Sequence, residues 1–238
     1  MKCFDLTLPS PAENLACEEA LLDCCEASGG DEILRFWEPA QPFVVVGYAN
    51  AVANEVNADA CRDAGVPIFR RCSGGGTVLQ GPGCLNYAVI LRTSETGPLA
   101  TISATNRFVM ERNRRALQSL LPAPVLIQGH TDLTLGPLKF SGNSQRRRHR
   151  WLLFHGTFLL QFDLDLIERC LAMPSHQPDY RAHRRHRDFL TCLGLAAETV
   201  KAALRQAWDA SLAVPELPGE RLEALVNRYK SRAWNFRF

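Results

Sequence analysis

The chain lacks both a long hydrophobic run and a surplus of charge of one sign. Its longest apolar stretches, such as residues 43–46, are far shorter than the ~18–20 residues that span a bilayer, so we expect no membrane partner. The 27 Lys and Arg against 25 Asp and Glu leave a formal charge of +2, which argues against a protein that coats nucleic acid over its whole surface. With 46% apolar residues, the composition is that of a folded globular protein, which excludes a disordered or collagen-like chain.

Paired-cysteine motifs are absent as well. The nine cysteines are odd in number, Cys24 and Cys25 are adjacent, and no Cys-x-x-Cys spacing occurs, which argues against a disulfide scaffold and a zinc ribbon. The N-terminus lacks the apolar core of a signal peptide. The sequence therefore predicts reduced thiols in a cytoplasmic protein.

The alternation of strand-like and helix-like segments predicts one α+β domain over residues 1–238, with mixed, mostly antiparallel sheets flanked by helices. No linker or repeat is visible, although residues 214–219 could form a local hinge. The expected helices are 12–27, 54–63, 103–121, 196–212 and 220–229. The expected strands are 2–8, 33–37, 43–47, 68–71, 77–79, 86–91, 125–128, 132–140 and 151–162, with 33–37 and 43–47 paired across a turn.

A glycine triplet follows the strand at 68–71. Residues 70–79 read Arg-Arg-Cys-Ser-Gly-Gly-Gly-Thr-Val-Leu. Glycines allow close approach of a ligand and leave N–H groups free to donate to phosphate or carboxylate oxygens, and adjacent arginines bind anions. A tight turn or bulge in a hairpin is the alternative interpretation. The segment matches neither a phosphate-binding loop with Lys and Ser/Thr nor a nucleophile elbow.

Two other strand-like segments each carry one isolated polar side chain. Lys139 lies in 132–140 and precedes the turn-like residues 141–144, and His155 lies in 151–162. Lys139 could place a compact charge on a phosphate or carboxylate, or it could be a solvent-directed lysine of an edge strand. His155 could be a catalytic residue, or it could be a core histidine whose hydrogen bonds are satisfied. Singly, neither residue decides the function.

Together these segments resemble the lipoate–protein ligase and octanoyltransferase family, whose catalytic domain is of the biotin/lipoate ligase type. The order is Arg-Arg-x-Ser-Gly-Gly-Gly, then an Asp strand leading into Lys-x-Ser-Gly, then His-Gly-Thr. Residues 13–19 resemble the family's N-terminal helix, residues 233–236 its Trp-Asn-Phe ending, and residues 177–181 a loop of the superfamily. The resemblance thus extends almost from end to end.

The resemblance implies activation of lipoate or octanoate with ATP to an acyl-adenylate, then transfer to a lysine of a lipoyl carrier domain or a glycine-cleavage-H-like protein. Lys139 would contact the adenylate phosphate and the acyl carbonyl, and Asp132 would be a Mg²⁺ ligand. Fixed cations and backbone N–H groups suit the charge that develops on phosphoryl oxygens. Strands around residues 44–46 and Val78 would line the acyl tunnel. The implied adenylate- or acyl-binding residues are Arg71, Ser73, Gly74, Gly75, Gly76, Thr77, Val78, Leu79, Asn86, Asp132, Ser141, Gly142, His155, Gly156 and Thr157.

An ATP-independent octanoyl or lipoyl transferase is the alternative within the family. Such enzymes hold the acyl chain on a cysteine, either just before the lysine strand or after the His-Gly strand. The corresponding residues 127–131 and 173–176 contain no cysteine. Cys170 lies close to residues 173–176 and Cys72 lies beside the glycine triplet, but packing is the simpler interpretation of both. The sequence therefore favours the ligase, which needs no protein nucleophile.

Many ligases of this family carry a small additional C-terminal domain, and this chain ends two residues after the Trp-Asn-Phe motif. We therefore expect no such domain in this chain. Three alternatives follow for such a chain. It could work with a separate accessory subunit, perform only the transfer half of the reaction, or use a different acyl substrate.

Positive charge is concentrated in one part of the chain. Residues 139–187 contain ten Lys and Arg against four Asp and Glu, a surplus of +6, whereas the remainder carries −4. The arginine-rich runs 146–150 and 181–187 could steer an acidic carrier domain, bind nucleic acid or another polyanion, or form solvated loops. Aromatic residues are sparse in both runs, which makes nucleic acid the less suitable partner.

Overall fold

The protein is built on one large and one small β-sheet. The computed structural model describes residues 1–214 and 217–238, so the expected hinge at 214–219 lies partly outside the described residues. The helices are α1 (Pro11–Ser28), α2 (Val52–Glu55), α3 (Ala58–Asp63), α4 (Ile102–Gln118), α5 (Leu164–Cys170), α6 (His186–Phe189), α7 (Ala197–Ala207), α8 (Gly219–Lys230) and α9 (Arg232–Asn235). The strands are β1 (Lys2–Asp5), β2 (Ile33–Trp37), β3 (Phe43–Val46), β4 (Ile68–Arg70), β5 (Val78–Gln80), β6 (Cys84–Arg92), β7 (Val125–Gln128), β8 (Asp132–Leu135), β9 (Leu138–Arg147), β10 (Trp151–Leu159) and β11 (Ser211–Leu212).

The sheets are mixed. The large sheet has the strand order β11-β1-β2-β6-β10-β9-β8-β7, and the small sheet has the order β4-β3-β5. Strand β1 is parallel to β2 and β11, and β3 is parallel to β4, whereas the remaining pairings are antiparallel. The predicted α+β fold with mixed, mostly antiparallel sheets is confirmed.

Several predicted elements differ from the structure. Strands β2 and β3 are not paired, because β2 lies between β1 and β6 while β3 is the centre of the small sheet. The expected strand at 132–140 is two strands separated by a turn at Gly136, whose φ is +54°. The expected turn at 141–144 is continuous strand, because β9 pairs with both β8 and β10 and this pairing overrides the local preference of its small residues. The expected helix at 54–63 is divided into α2 and α3, and the Asn57 side chain caps α3.

The two faces of the large sheet cover different cores. Side chains alternate along a strand, so Leu85, Tyr87 and Val89 of β6 face one side and pack in a cluster that includes residues of α4 and α7. On the other side, Ala88 and Ile90 pack in a cluster with residues of α1. This second face also carries the polar positions of β6 and β10 that form part of the site.

Helix α1 carries acidic side chains into the interior. It begins with a capping box, in which Ser10 Oγ accepts from the N–H of Glu13 at 3.3 Å and the Glu13 carboxylate accepts from the N–H of Ser10 at 2.8 Å. Most of the helix is buried, including Glu18 and Glu19. A buried carboxylate requires partners, and those of Glu18 belong to the site. None of the helices formed by the described residues is long and apolar enough to cross a membrane.

Candidate active site

A cavity of about 830 Å³ lies between strands of both sheets and residues 174–181. This volume is within the ~300–1,000 Å³ of typical small-molecule sites. The sequence-predicted residues on its wall are Arg71, Gly75, Gly76, Thr77, Val78, Leu79, Asn86, Asp132, Lys139, Ser141, Gly142, His155, Gly156 and Thr157. Ser73 and Gly74 are not part of the wall: Ser73 is buried, and Gly74 is exposed. The fold therefore brings together most of the residues that the motifs predicted.

Strand register aligns the polar wall in rows. Residues directly opposite one another on paired strands share a face of the sheet. One row across five strands consists of Asp132, Gly142, Thr157, Asn86 and Trp37. A neighbouring row places Ser144 opposite His155 and His155 opposite Ala88. Motifs that are dispersed over the sequence thus become adjacent through strand pairing alone.

The ammonium of Lys139 is held by an ion pair on the cavity wall. Lys139 Nζ lies 2.8 Å from Asp132 Oδ1, and the Tyr180 hydroxyl donates to Asp132 Oδ2 at 2.7 Å. Burial and the neighbouring Asp132 charge both raise the pKa of Tyr180, so its hydroxyl remains a donor. The Lys139 side chain is 24% exposed, which leaves its charge available to a ligand. Tyr180 lies in the segment 177–181, which only the family resemblance had indicated.

The guanidinium of Arg71 holds the glycine loop, residues 71–77, in place. It donates to the carbonyl oxygens of Gly74 and Gly76, at 3.1 Å from Nε and 2.8 Å from Nη2, and to Ser73 Oγ at 3.0 Å. Burial lowers the pKa of Arg71 to about 10, so the group is charged at neutral pH. Nη1 also donates to the carbonyl oxygen of Val45 in β3 at 3.3 Å, so the guanidinium connects the loop to the small sheet and fixes the backbone that faces the cavity.

A chain of hydrogen bonds connects Ser144, His155 and Glu18 of the cavity wall through the buried Ser73. Ser144 Oγ lies 2.8 Å from Ser73 Oγ, Ser73 Oγ lies 2.6 Å from His155 Nε2, and His155 Nδ1 lies 2.5 Å from Glu18 Oε2. Burial alone would raise the pKa of Glu18, but His155, Arg35 and the Trp37 N–H together outweigh it and hold that pKa below its ordinary value. Sequence reasoning singled out Ser73 and His155 but missed Glu18 and Ser144, because no local spacing connects these four positions.

Of the strand residues predicted to line an acyl tunnel, only some face the cavity. Val45 and Val78 line the cavity together with Trp37. Val44 and Val46 do not, because alternate residues of β3 face opposite sides and these two pack against α5. The expectation that residues 44–46 as a group line an acyl tunnel is therefore corrected to Val45.

A polar cluster interrupts this apolar wall. Gln80 Nε2 donates to Thr157 Oγ1 at 2.8 Å, and Thr157 Oγ1 donates to Asn86 Oδ1 at 2.5 Å. Asn86 Nδ2 and Gln80 Oε1 are buried and have no hydrogen-bond partner among the described residues. Because a buried polar atom without a partner is costly, these two atoms are suited to bind a ligand that enters the cavity.

The cysteines do not supply a nucleophile to this cavity. Cys72 is 4% exposed, and burial together with Glu19 raises the pKa of its thiol to about 12. Cys170 is 0% exposed. No cysteine belongs to the cavity wall formed by residues 1–214 and 217–238. A thiolate at neutral pH would require a lowered pKa, so the packing interpretation of Cys72 agrees with its surroundings.

Over the part of the chain that the structure describes, no group of three or more His, Cys, Asp and Glu is placed to hold a metal ion. Both oxygens of Asp132 accept hydrogen bonds, but a carboxylate keeps further lone pairs. Mg²⁺ often uses one or two carboxylates together with the phosphates of a substrate, and Asp132 is compatible with that arrangement.

The arginine-rich runs are largely engaged within the protein. Acidic partners lie within 4 Å of four of their arginines, in the pairs Arg148–Asp23, Arg150–Glu26, Arg185–Glu168 and Arg187–Asp165. Backbone carbonyls accept hydrogen bonds from three others, Arg147, Arg181 and Arg184. The runs are therefore not simply solvated loops, and much of their charge is locally balanced.

Comparisons with known proteins agree with this geometry. The family model described as "Lipoyl protein ligase A/B catalytic domain" matches residues 10–207. The chain is 33% identical over 168 residues to "Putative lipoate-protein ligase A" of Aeropyrum pernix, over 71% of this chain and 61% of that protein. It is 26% identical over 258 aligned positions to "Octanoyltransferase LipM" of Carboxydothermus hydrogenoformans, over 96% of each. A solved bipartite lipoate protein ligase of Thermoplasma acidophilum, described with its E2 lipoyl domain, has the same fold, with a TM-score of 0.81 and 22% identity over 99% of this chain and 95% of that one.

Proposed function

The chain belongs to the lipoyl protein ligase A/B catalytic-domain family, and from this we propose that it acts as a lipoate–protein ligase, which activates lipoate or octanoate with ATP and acylates a lysine of a carrier domain. The observation that carries this proposal is the fixed Lys139 ammonium on a cavity wall that offers no thiol. A ligase needs a cation at the reacting phosphate and no protein nucleophile, because the adenylate is itself the activated acyl group.

In the first half-reaction, the acid's carboxylate attacks the α-phosphorus of ATP and pyrophosphate leaves. Negative charge develops on the phosphoryl oxygens, and a preorganised cation and N–H donors stabilise it. Lys139 supplies the cation, and the backbone N–H groups of residues 75–77, which line the cavity, supply the donors. Asp132 holds Lys139 in position and is also the carboxylate suited to bind Mg²⁺, which neutralises phosphate charge when bound.

The acyl chain is proposed to lie along the apolar wall. Trp37, Val45 and Val78 offer an aliphatic chain a dry surface, and burying each methylene contributes about 0.8 kcal/mol. The unpartnered atoms of Asn86 and Gln80 are the polar contacts available to the bound ligand. Lipoate and octanoate share the chain and the carboxylate, so both belong to the proposed substrate class.

The acceptor proposed for the second half-reaction is a lysine of a lipoyl carrier domain or of a glycine-cleavage-H-like protein. The Thermoplasma ligase is bipartite and is described with its E2 lipoyl domain, which supports both a carrier partner and a separate accessory subunit. Nucleic acid is a weaker proposal, because many arginines of the runs 146–150 and 181–187 are already paired.

An ATP-independent octanoyltransferase is the second candidate function. The observation that favours it is the match to an octanoyltransferase over 96% of both chains. Such a transferase needs an acyl-accepting nucleophile. The burial of Cys72 and Cys170 therefore supports the ligase over this alternative.

The function is tested by intact-mass spectrometry of an apo-lipoyl domain incubated with the protein. One reaction contains octanoate and ATP, a second contains octanoate alone, and a third contains an octanoylated carrier domain as the donor. We expect a mass gain of one octanoyl group only with octanoate and ATP. A gain only with the carrier donor would identify a transferase. If neither reaction acylates the domain, even after an accessory subunit from a bipartite system is added, the proposal is wrong.

Lys139→Ala is predicted to abolish adenylate formation. Loss of a preorganised charge at the reacting phosphate lowers the rate by ~10²–10³-fold. Pyrophosphate exchange with octanoate and ATP measures this step alone. Lys230→Ala removes an exposed lysine at the end of α8 and is the matched control, with an unchanged rate. Full activity in Lys139→Ala would refute the role of Lys139.

A further inference from the structure

The hydrogen-bonded chain Ser144–Ser73–His155–Glu18 has no role in adenylate formation as described above. Ser144 lies on the cavity wall, and the chain continues through buried Ser73 to His155 and ends at Glu18, which is 3% exposed. Buried ionisable groups are costly unless they are paired, and here the buried carboxylate is placed against an imidazole that reaches the cavity. This arrangement resembles the acid–histidine–hydroxyl chains that move protons in acyl transfer.

The direction of each proton in the chain follows from its two neighbours. In the neutral form of the His155 ring the single N–H lies on Nδ1, because the Glu18 carboxylate beside Nδ1 accepts a hydrogen bond. This leaves His155 Nε2 as an acceptor, which Ser73 must satisfy as the donor. Ser73 Oγ also receives a hydrogen bond from Arg71 Nε, which can only donate.

With its own proton directed to His155, Ser73 Oγ can only accept from Ser144. Ser144 therefore donates inward, and its oxygen lone pairs are left on the cavity side. The chain thus ends at the cavity as a proton acceptor.

We propose that these four residues form a proton relay that deprotonates the amine of the acceptor lysine during transfer. This inference rests on the proposed acyl-transfer function. The amine nitrogen forms a bond to the acyl carbonyl carbon, the bond between that carbon and the phosphate oxygen breaks, and AMP leaves with the electron pair. The amine proton passes to Ser144, the Ser144 proton passes to Ser73, and the Ser73 proton passes to His155 Nε2. The resulting imidazolium is stabilised by the Glu18 carboxylate.

Two charged groups on the cavity wall, Asp132 and Lys139, are less suited to accept this proton. Asp132 already accepts from Lys139 and Tyr180, and the Lys139 ammonium is a donor only. The charged groups around His155 are the Glu18 carboxylate, Arg35 at 3.9 Å from Glu18, and Arg71 through Ser73. Glu18 accepts from His155 Nδ1, so its carboxylate is placed to stabilise the ring when Nε2 receives the proton from Ser73.

The relay is tested on the transfer half-reaction alone. The wild-type protein and its variants receive synthetic octanoyl-adenylate and an apo-lipoyl domain, and single-turnover rates are measured across the neutral pH range. We expect the wild-type rate to rise with pH to a plateau, because a general base accepts a proton only in its unprotonated form. In His155→Gln we expect the plateau to disappear and the rate at neutral pH to fall by ~10²–10⁴-fold. Pyrophosphate exchange with octanoate and ATP is expected to fall less than the transfer rate, because the relay acts in the second step only.

Ser144 provides a second pair of variants. Ser144 is only partly buried, so its replacement leaves the interior in place. Ser144→Ala is expected to reproduce the loss of the plateau, and Ser144→Thr, which keeps the hydroxyl, is expected to retain it. Thermal unfolding of each variant shows whether the fold is intact.

The relay is refuted by a pH profile that is the same in His155→Gln, or in Ser144→Ala, as in the wild type. It is also refuted by an equal loss in both half-reactions, which would indicate a structural role, and by a wild-type protein that does not transfer from octanoyl-adenylate at any pH. The wild-type protein could transfer from synthetic octanoyl-adenylate but form no adenylate from octanoate and ATP. That result would contradict the ligase proposal, whereas the pH profile of the transfer rate would still test the relay.

Discussion

Gly142 illustrates how the absence of a side chain positions a charged one. A Cβ at this position would lie 2.8 Å from Lys139 Nζ and 2.9 Å from Lys139 Cε. Glycine is unfavourable within a strand unless another group needs the space, and here the lysine occupies it. Gly156 of the neighbouring strand is equally constrained, because its Cβ would lie 1.7 Å from Asn143 Oδ1. Glycine is therefore required at these two motif positions because a side chain would collide with a neighbouring one, which the spacing of the motifs in the sequence does not reveal.

Gly142→Ala is predicted to impair catalysis more than stability. The new methyl group displaces the flexible end of Lys139 from Asp132, and a misplacement of about 1 Å at a reacting group can cost ~10²-fold in rate. Pyrophosphate exchange is expected to fall by that order, while the melting temperature changes by only a few degrees. Gly219→Ala is the control, since a Cβ there meets nothing within 4 Å. An unchanged exchange rate in Gly142→Ala would mean that Lys139 does not need its observed position.

At the scale of the elements, α9 secures the strand that leads into the glycine loop. The buried Arg70 of β4 donates to the carbonyl oxygens of Gly47 at 2.8 Å and Asn50 at 2.7 Å. Asn235 Oδ1 accepts from the N–H of Arg70 at 2.9 Å, and Trp234 Nε1 donates to the carbonyl of Arg70 at 2.8 Å. The Trp-Asn-Phe motif, which the sequence offered only as a family resemblance, thus links the end of the chain to β4 and the loop beyond it.

Asn235→Ala is predicted to destabilise the protein. It leaves the buried N–H of Arg70 and the carbonyl of Tyr229 without their partner, and each buried unsatisfied group costs about 1–3 kcal/mol. For a chain of this size, each kcal/mol lowers the melting temperature by about 2–4 °C. Calorimetry or thermal circular dichroism measures the change. Ala233→Ser, on an exposed position of the same helix, is expected to have no measurable effect. Equal melting temperatures for the two variants would contradict the role assigned to α9.

At the scale of the whole molecule, the charge asymmetry of the sequence is reduced by folding. The surplus of +6 over residues 139–187 meets acidic partners from other parts of the chain, as in the pairs Arg148–Asp23 and Arg150–Glu26, where the acids belong to α1. Other pairs, such as Arg185–Glu168, are internal to the segment. The basic surface available to a polyanion is therefore smaller than the linear charge count suggests.

Binding of a single-stranded oligonucleotide is predicted to be weak and to disappear at about 150 mM salt, because contacts to phosphate alone lose affinity steeply as counterions compete. Fluorescence anisotropy with a labelled oligonucleotide measures this. Asp165→Asn and Glu168→Gln free Arg187 and Arg185 from their partners, so they are expected to strengthen the low-salt binding. Tight binding that persists at physiological salt in the wild type would support a nucleic-acid function instead.

The sequence by itself determined the local features of this protein. The alternation along β10 and the glycine triplet depend on neighbouring residues, so they could be recognised without a structure. The order of the motifs was sufficient to indicate the family. The predicted strands also corresponded to observed ones at most positions, although the pairing of β2 with β3 and the turn at 141–144 were wrong.

Only the tertiary structure decided which side chains meet. His155 and Glu18 are 137 residues apart in sequence, and no local pattern specifies that strand β10 and helix α1 bring them into contact. Val45 faces the cavity while Val44 and Val46 do not. Both faces of the small sheet are packed and the three residues are all valine, so the sequence does not indicate which of them faces the cavity. Strand register and buried ion pairs join distant segments, and their energies depend on partners that the neighbouring sequence does not contain.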